Sequence, residues 1–489
     1  MQRTLPPLGA IAAGLALSAC SMAPKYIVPP VPLAEQYKEA AGQKDWQPAQ
    51  PGDTISRGSW WQAYGDSTLD RLADQLERNS PDLAAALARY EQSNAYYQQT
   101  RSAYFPSLSL GGQYQPNRGS DMRPPSGNSN RYYDNDSLGL AASYELDLWG
   151  RVRNTVKAGR ADLAAAAADL ESAHLSLRAE LVDDYLQLRG TDQTVQLLTD
   201  TVDAYQRALE LTQTRRQGGI GSGLDVARAQ TQLKSAQAQL ATTQAQRAVL
   251  EHAIAILVGA SPSTFSIAPD TTGLTLPNVP TDVPSTLLQR RPDIAAAERR
   301  TAAANAAVGV ARAAWFPSLT LGGTVGYSSY EGSDWFQASN LFWSIGPTLA
   351  VDLFDGGKRK AQVRQARAAL DEAGASYRST VLNAFAQVED NLSKLDHYRD
   401  AAAQEDEAVK AAKQAVEYST IRYREGVVNY LEVTTAQTAA LEAQRAQVTI
   451  NTDRLRASVA LIRALGGGWK VGDDPMTSVA ATDSKPSLN

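Results

Sequence analysis

"RSAYFPSLSLGGQY" spans Arg101–Tyr114, and "RAAWFPSLTLGGTVGY" spans Arg312–Tyr327. The second FPSL follows the first by 211 residues, and "PDLAAA" at Pro81 meets "PDIAAA" at Pro292 at the same 211-residue spacing. Pro81–Gly112 and Pro292–Gly323 therefore correspond without a gap. "YELDLWGRVR" (Tyr144–Arg153) resembles "LAVDLFDGGKRK" (Leu349–Lys360). "RRQGGIGSGLDVARAQT" (Arg215–Thr231) resembles "RYREGVVNYLEVTTAQT" (Arg422–Thr438), where the spacing has become 207. Four landmarks recur in one order, at a period too long for the usual solenoid. The chain is an internal duplication of one large unit.

Each copy of the unit changes its periodicity. Pro81–Ala103 has a helical pattern with Pro just inside its start, and Pro106 ends it. Strict alternation follows. Leu108, Leu110, Gly112 and Tyr114 oppose Ser107, Ser109, Gly111 and Gln113; Leu138, Leu140, Ala142, Tyr144, Leu146 and Leu148 oppose Ser137, Gly139, Ala141, Ser143, Glu145 and Asp147. The second half repeats this with Leu319–Tyr327 and with Leu341, Trp343, Ile345, Leu349, Val351 and Leu353 against Ser344, Gly346, Thr348 and Asp352. Runs of about 10 to 14 residues suit tilted strands crossing a bilayer. The polar face carries Ser, Thr and Gly where a soluble sheet would show Lys and Glu. Two long polar loops, Gln115–Asp136 and Ser328–Asn340, join the strands.

The chain then turns helical for about 65 residues, or ~100 Å, in each half. Val152–Arg216 and Lys358–Arg424 contain no proline. Each helix meets a turn, Gln217–Gly223 or Glu425–Tyr430, and a second helix follows, Leu224–Val258 or Leu431–Leu465. Helices of this length with abundant Ala and Gln point to coiled-coil packing with close approach.

The N-terminus reads "MQRTLPPLGAIAAGLALSAC". Arg3 precedes an apolar run too short to span a bilayer, which ends in "LSAC", the pattern of a bacterial lipobox. Cys20 is the single cysteine, so no disulfide forms within one chain. The expectation is a signal peptide over 1–19 and a lipid on Cys20 that anchors without spanning. Pro24–Pro32 reads as an extended tether. A formal net charge of -5 leaves no basic footprint for nucleic acid.

Catalytic chemistry is hard to find. His174, His252 and His397 are scattered over helical segments, and no metal-ligand spacing occurs. "GGIGSG" fails the dinucleotide spacing and follows no strand. "DGGKRK" lacks the remaining phosphate-loop residues. Asp183 and Asp184 are adjacent in a helix and face different ways. The expectation is no enzyme, no metal and no cofactor.

Four strands cannot close a barrel, and lipid leaves no sheet edge unsatisfied. Copies must therefore pool strands. Two copies would give eight strands and a filled lumen; three give twelve and room for solutes. The small polar residues favour three.

These residues together resemble the TolC-like outer-membrane efflux factors, in the lipoprotein branch of the OprM and NodT type. The carrying motifs are the lipobox, "WWQAYGDSTLDRL" (Trp60–Leu72), both FPSL motifs, "YELDLWGRVR", "RRPDI" (Arg290–Ile294), "DLFDGGKR" (Asp352–Arg359) and "RYREGVVNYLEV" (Arg422–Val433). The resemblance covers nearly the whole mature chain. It implies an α+β membrane protein, a homotrimer with a shared 12-stranded barrel continued by a long α-helical barrel. It implies N-palmitoyl and S-diacylglycerol groups on Cys20, outer-membrane lipid around the barrel, and extension into the periplasm. Its partners would be a periplasmic adaptor and an inner-membrane pump, of the RND class before the MFS or ABC classes. The function implied is a passive exit duct for drugs or other small molecules. A type I secretion duct and a non-conducting lipoprotein scaffold are the alternatives.

The resulting division is a signal peptide (1–19), a lipidated tether (20–50) and an equatorial segment (51–80). The first repeat (81–258) holds a hairpin at 106–149 and a tip at 217–223. A linker (259–291) leads to the second repeat (292–465), with a hairpin at 317–354 and a tip at 425–430. A C-terminal equatorial segment and disordered tail (466–489) close the chain. Gly219, Gly221, Gly223 and Gly426 permit the reversals, and the resemblance makes these turns the adaptor contact. It also implies a constriction after the second tip, an aliphatic residue followed by an Asp four positions on and an Arg three after that. Leu431 fills the first position, but Thr435 and Thr438 fill the others, so the charged pair is missing. Glu432 is the nearest carboxylate, so the constriction is read at Leu431, Glu432 and Thr435; a ring of three Glu432 either replaces the missing acidic ring or, as a lone helix carboxylate, faces solvent, and the solvated face is the preferred reading.

Overall fold

The computed structural model describes residues 21–31, 37–39, 58–118, 132–277, 291–329 and 335–467. Cys20, Arg290 and the tail from 468 lie outside the described residues, as do parts of both hairpin loops, the tether and the linker. The helices are α1 (Ser67–Asn79), α2 (Pro81–Ser102), α3 (Arg151–Gln217), α4 (Gly223–Leu257), α5 (Pro292–Ala313), α6 (Lys358–Arg424) and α7 (Tyr430–Ala464). The strands are β1 (Ser107–Gln113), β2 (Pro116–Arg118), β3 (Tyr132–Asp134), β4 (Asp136–Leu146), β5 (Ser318–Ser329) and β6 (Leu341–Ala350). The duplication is exact in helix length: α2 and α5 have 22 residues, α3 and α6 have 67, α4 and α7 have 35. No described helix is long and apolar enough to cross a membrane.

Two compact units divide the chain. One comprises Met1–Pro30, Tyr90–Ala167 and Ala296–Arg378; it holds an antiparallel sheet in the order β1-β4-β5-β6. The order puts strands of the two repeats side by side at β4–β5. The register makes the sequence alternation continuous across all four strands. Leu110, Leu140, Val325 and Trp343 form one row, and Leu146, Leu319 and Leu349 another. On the opposite face Ser109, Ala141, Thr324 and Ser344 form a row, with the Thr324 and Ser344 hydroxyls 2.8 Å apart. A one-residue slip would exchange the faces, so the pattern fixes the register.

The sheet departs from the sequence reading in several places, and β1 has only 7 residues, ending at Gln113 short of Tyr114. β4 ends at Leu146 and β6 at Ala350, short of Leu148 and of Leu353. Pro347 lies within β6, at a sheet edge, where a missing N–H is tolerated. Phe342 stands on the small-residue face, over Gly139 and Gly326. A Cβ on Gly326 would lie 2.4 Å from the Leu138 carbonyl oxygen and 3.1 Å from the Phe342 ring. Part of the first loop is also paired: β2 and β3 form a short ladder, with Arg118 5.7 Å over the Tyr132 ring.

The repeated landmarks are junction chemistry. Asp147 accepts from the backbone N–H groups of Val152 (3.1 Å) and Arg153 (2.8 Å), which caps α3. Asp355 does the same for Gly357 (2.9 Å) and Arg359 (3.1 Å) before α6. Each carboxylate also holds an arginine of its own helix, Arg153 or Arg359. Trp149 donates its indole N–H to the Pro317 carbonyl (2.8 Å) and stacks on Phe316 at 4.7 Å. The FPSL aromatic of one repeat thus seats the strand–helix turn of the other.

Ser21–Pro30 is not a free tether. It lies along α5: Asn305 donates to the Pro24 carbonyl (2.9 Å), and the Tyr26 hydroxyl donates to Glu298 (2.6 Å). Ala23 sits so close to Gly309 that a Cβ there would meet it at 2.7 Å.

The other unit comprises Val31–Arg89, Ala168–Ala295 and Ser379–Asn489. Its core forms where α1 meets α3, α4 and α7. Leu69, Leu72, Ala73 and Leu76 recur at helical spacing and are buried with Trp60, Trp61, Tyr64, Leu181, Leu188, Ile254 and Ile462. Truncating Leu76 to Ala would cost about 2–5 kcal/mol. Asp66 caps α1 through the N–H of Thr68 (2.8 Å) and also binds Tyr185 (2.7 Å) and the buried Arg189. Arg189 continues to the Asp270 and Thr272 carbonyls, both 2.9 Å. Arg247, Asp192 and the Ile267 carbonyl form a parallel clasp. These clasps fix the chain after α4.

Candidate functional site

The turns between the paired long helices are built alike. In the first, Gly219 N–H bonds to the Arg216 carbonyl and Ile220 N–H to the Arg215 carbonyl, both 3.0 Å. In the second, Gly426 bonds to Tyr423 (3.1 Å) and Val427 to Arg422 (2.9 Å). These bonds satisfy the orphan carbonyls of a helix end and need a left-handed residue. Gly219 (φ 76) and Gly426 (φ 78) supply it. Three residues later a new helix is capped: Ser222 accepts from Leu224 N–H and Asn429 from Leu431 N–H, both 3.0 Å.

The other two turn glycines differ. Gly221 is needed for closeness, since a Cβ there would meet the Arg216 backbone nitrogen at 2.8 Å. Gly223, read from the sequence as part of the reversal, is the first residue of α4, with its nearest neighbour at an ordinary 3.7 Å. Ser222 has already ended the turn.

The structure brings both turns together. The Arg215 guanidinium donates to the Arg424 carbonyl (3.0 Å) and lies 4.9 Å over the Tyr423 ring. Tyr423 meets Tyr430 edge-on at 5.3 Å. Behind them Tyr205, Leu209, Ala229, Leu233, Ala236 and Val433 complete an apolar plug between the repeats. Burial pushes the Tyr430 phenol up to about 12, so that phenol stays neutral through the physiological range. Gln232 ties α4 to α7 through Thr438 (2.8 Å). Ile220 and Val427, at matching positions of the two turns, remain exposed.

Leu431, Thr435 and Thr438 share one exposed stripe of α7, at helical spacing. The hydroxyls of Thr435 and Thr438 donate to the carbonyls of Leu431 and Thr434, both at 2.9 Å. The stripe carries no fixed charge. Glu432 points aside and pairs with Arg422 of α6 at 3.4 Å, with both side chains exposed. The sequence reading missed the clamp of Arg215, Tyr423 and Tyr430. The signal was there in the matched "RRQGG" and "RYREG", whose arginines end helices that must meet.

Other polar groups are structural. His174 lies 3.2 Å from Glu77, which also binds Arg178. Asp183 is held bidentately by Arg456 at 2.9 Å, whereas Asp184 is half-buried beside Asp183 and Glu180. No group of three or more metal-ligating side chains occurs among the described residues.

A duplicated strand–helix unit with an alternating four-stranded sheet and paired helical turns is the fold class of outer-membrane channels. The chain matches the outer membrane efflux protein family over residues 72–260 and 283–467, and it belongs to that family. It is 33% identical to outer membrane protein OprJ of Pseudomonas aeruginosa over 476 residues, covering 95% of this chain and 96% of that one. It is 32% identical to the pyoverdine export outer membrane protein OpmQ of the same species over 95% of this chain and 97% of the relative. Among solved structures, the outer-membrane channel OprN superposes with a TM-score of 0.82 at 32% identity, covering 92% of this chain and 100% of that one. The protein is an outer-membrane efflux channel component of the OprM type.

Proposed function

We propose that three copies of this chain form one channel-tunnel, the passive exit duct of a tripartite system that expels drugs or other small molecules. Energy comes from an inner-membrane pump of the RND class, relayed by a periplasmic adaptor that meets the exposed turn residues beside Gly219 and Gly426. The observation that carries the reading is the two-faced sheet. Its apolar rows suit lipid, and its Ser, Thr and Gly rows suit a wet lumen. Three copies supply twelve strands, the smallest pooled number that leaves such a lumen open.

The plug between the turns is the device that holds the duct shut at rest, and the uncharged Leu431 stripe is its constriction. Cys20 carries the diacylglycerol and palmitoyl groups, and the ordered strap from Ser21 sets where they enter the bilayer. Incorporation of labelled palmitate by the wild type but not by Cys20→Ser tests the lipid.

Dye accumulation tests the whole reading. Cells lacking the protein retain a lipophilic dye, and re-expression restores its efflux. Unchanged dye efflux with loss of a secreted polypeptide would favour the type I secretion duct instead.

A further inference from the structure

The sheet has two edges, β1 and β6, with no strand beyond either among the described residues. We propose that β6 of one copy pairs antiparallel with β1 of the next, with Val351 opposite Leu110, and that this pairing extends β6 through Leu353. The proposal rests on the reading that copies pool their strands, and it adds the register of the seam.

The register follows from the duplication. Ser107 faces Ser143 in the first hairpin, and Ser318 faces Ala350 in the second. Ser107 and Ser318 are the same position of the FPSL motif, so Ser143 corresponds to Ala350. The same offset relates Gly150 (φ 79) to Gly357 (φ 91), both left-handed, and the starts of α3 and α6 at Arg151 and Lys358. Val351–Leu353 therefore correspond to Tyr144–Leu146, the last residues of β4. Those three are strand in the first repeat because β5 lies beside them, with Tyr144 facing Leu321. Leu321 corresponds to Leu110. The internal β4–β5 seam thus states how the last strand of one repeat meets the first strand of the next.

Three observations agree with the transfer. The register sets Val351 opposite Leu110 and Leu353 opposite Leu108, apolar against apolar, and Leu349 opposite Gly112 on the same face. It sets Ala350 opposite Gly111 and Asp352 opposite Ser109 on the other face. A slip of one residue would put leucines against serines. Leu353 and Phe354 are 92% and 90% exposed, and they fall beside the exposed start of β1 at Ser107 and Leu108. Finally, β6 stops at Ala350, where the corresponding strand β4 continues, although the same helix start follows. A strand lacking its neighbour ends early, because half of its backbone groups have no ladder to join.

Cysteine pairs test the register in the full chain, in native outer membranes, with Cys20 retained. Leu110→Cys with Val351→Cys, and Ser109→Cys with Asp352→Cys, probe the two faces. Directly opposite Cβ atoms lie about 4.5–5.5 Å apart, against roughly 7–8 Å for diagonal neighbours. Leu108→Cys with Val351→Cys is the slipped control. After copper–phenanthroline oxidation, the in-register pairs should give covalent dimer and trimer bands in at least about fivefold higher yield than the control. A control that cross-links better than both in-register pairs overturns the register. So does an absence of cross-linking in variants that remain oligomeric by light scattering and still conduct. In either case the pooled barrel survives. A wild-type chain that is monomeric and non-conducting overturns the pooled reading together with the seam.

Discussion

Arg215 of the first repeat lies 4.9 Å over the ring of Tyr423 of the second and bonds to the Arg424 carbonyl at 3.0 Å. The Arg215–Tyr423 contact joins the ends of α3 and α6, and two new helices start a few residues beyond. A cation over a partly screened ring contributes about 0.5–2 kcal/mol. Arg215→Ala should therefore favour separation of the turns, and three copies acting together multiply the effect. The expected outcome is a rise of tenfold or more in open probability in planar bilayers, roughly 1.4 kcal/mol or more in total. Arg215→Lys should fall between, since it keeps the charge and loses the planar fork. Unchanged open probability in Arg215→Ala would remove the clamp from the gate.

The stripe of Leu431, Thr435 and Thr438 carries no charge, and Glu432 is taken by Arg422. A ring of introduced carboxylates should create the charge that this constriction lacks. Thr435→Asp is expected to increase cation selectivity and to make conductance fall as pH drops through the carboxylate range. Glu432→Gln, at an exposed ion pair, should change conductance little. Reversal potentials in a salt gradient measure both. A Thr435→Asp channel with wild-type selectivity at every pH would place the constriction elsewhere.

Gly326 and Gly346 sit on one sheet face, yet substitution should separate them. A Cβ on Gly326 meets the Leu138 carbonyl at 2.4 Å and Gly139 Cα at 2.6 Å; a Cβ on Gly346 meets nothing within 4 Å. Gly326→Ala is expected to cost about 1–3 kcal/mol, the usual range for overpacking, whereas Gly346→Ala stays near neutral. The heat-resistant fraction of folded protein on a denaturing gel reads the difference. Equal behaviour would mean that Phe342 and β4 yield freely.

Two carboxylates should make stability depend on pH in opposite directions. Burial, aided by Asp183 and Glu180, pushes Asp184 up to about 6. Its charged form is disfavoured in the fold, so stability is lost as pH rises from about 4 to about 6. Asp184→Asn should stabilise the protein at pH 7 by about 1–2 kcal/mol, allowing for screening, and should do nothing at pH 4. Burial would also raise Glu77, but His174 and Arg178 outweigh it and hold the carboxyl at about 2. Glu77→Gln should therefore destabilise at pH 7, with the penalty fading as pH falls from about 4.5 toward 2. Denaturant midpoints at pH 7, at pH 4 and near pH 2 decide both signs.

The strands, the repeat and the two long hairpins were legible because lipid and coiled-coil packing each impose a strict period on the chain. Leu110, Leu140, Val325 and Trp343 could be assigned to one face by parity alone. Strand ends were not legible. Val351 and Leu353 keep the alternation, but a strand also needs a neighbour, and among the described residues no strand lies beside β6 past Ala350. Phe342 broke the face assignment because its room comes from Gly139 and Gly326 on two other strands. The position of Gly223 was missed because its glycine was read together with Gly219 and Gly221 as turn, although Ser222, a good helix cap, stands just before it. The Arg189–Asp66 and Arg247–Asp192 clasps were invisible for a different reason. Their partners are 123 and 55 residues apart, and nothing local marks one charge for another.

Single-channel conductance of the purified full-length protein in planar bilayers separates a gated duct from an anchored scaffold. A gated duct should insert, conduct poorly with brief openings, and conduct severalfold more when Arg215→Ala is combined with disruption of Leu431–Thr438. A protein that never inserts or conducts, even with both changes, would be no duct, and an anchored scaffold would take its place.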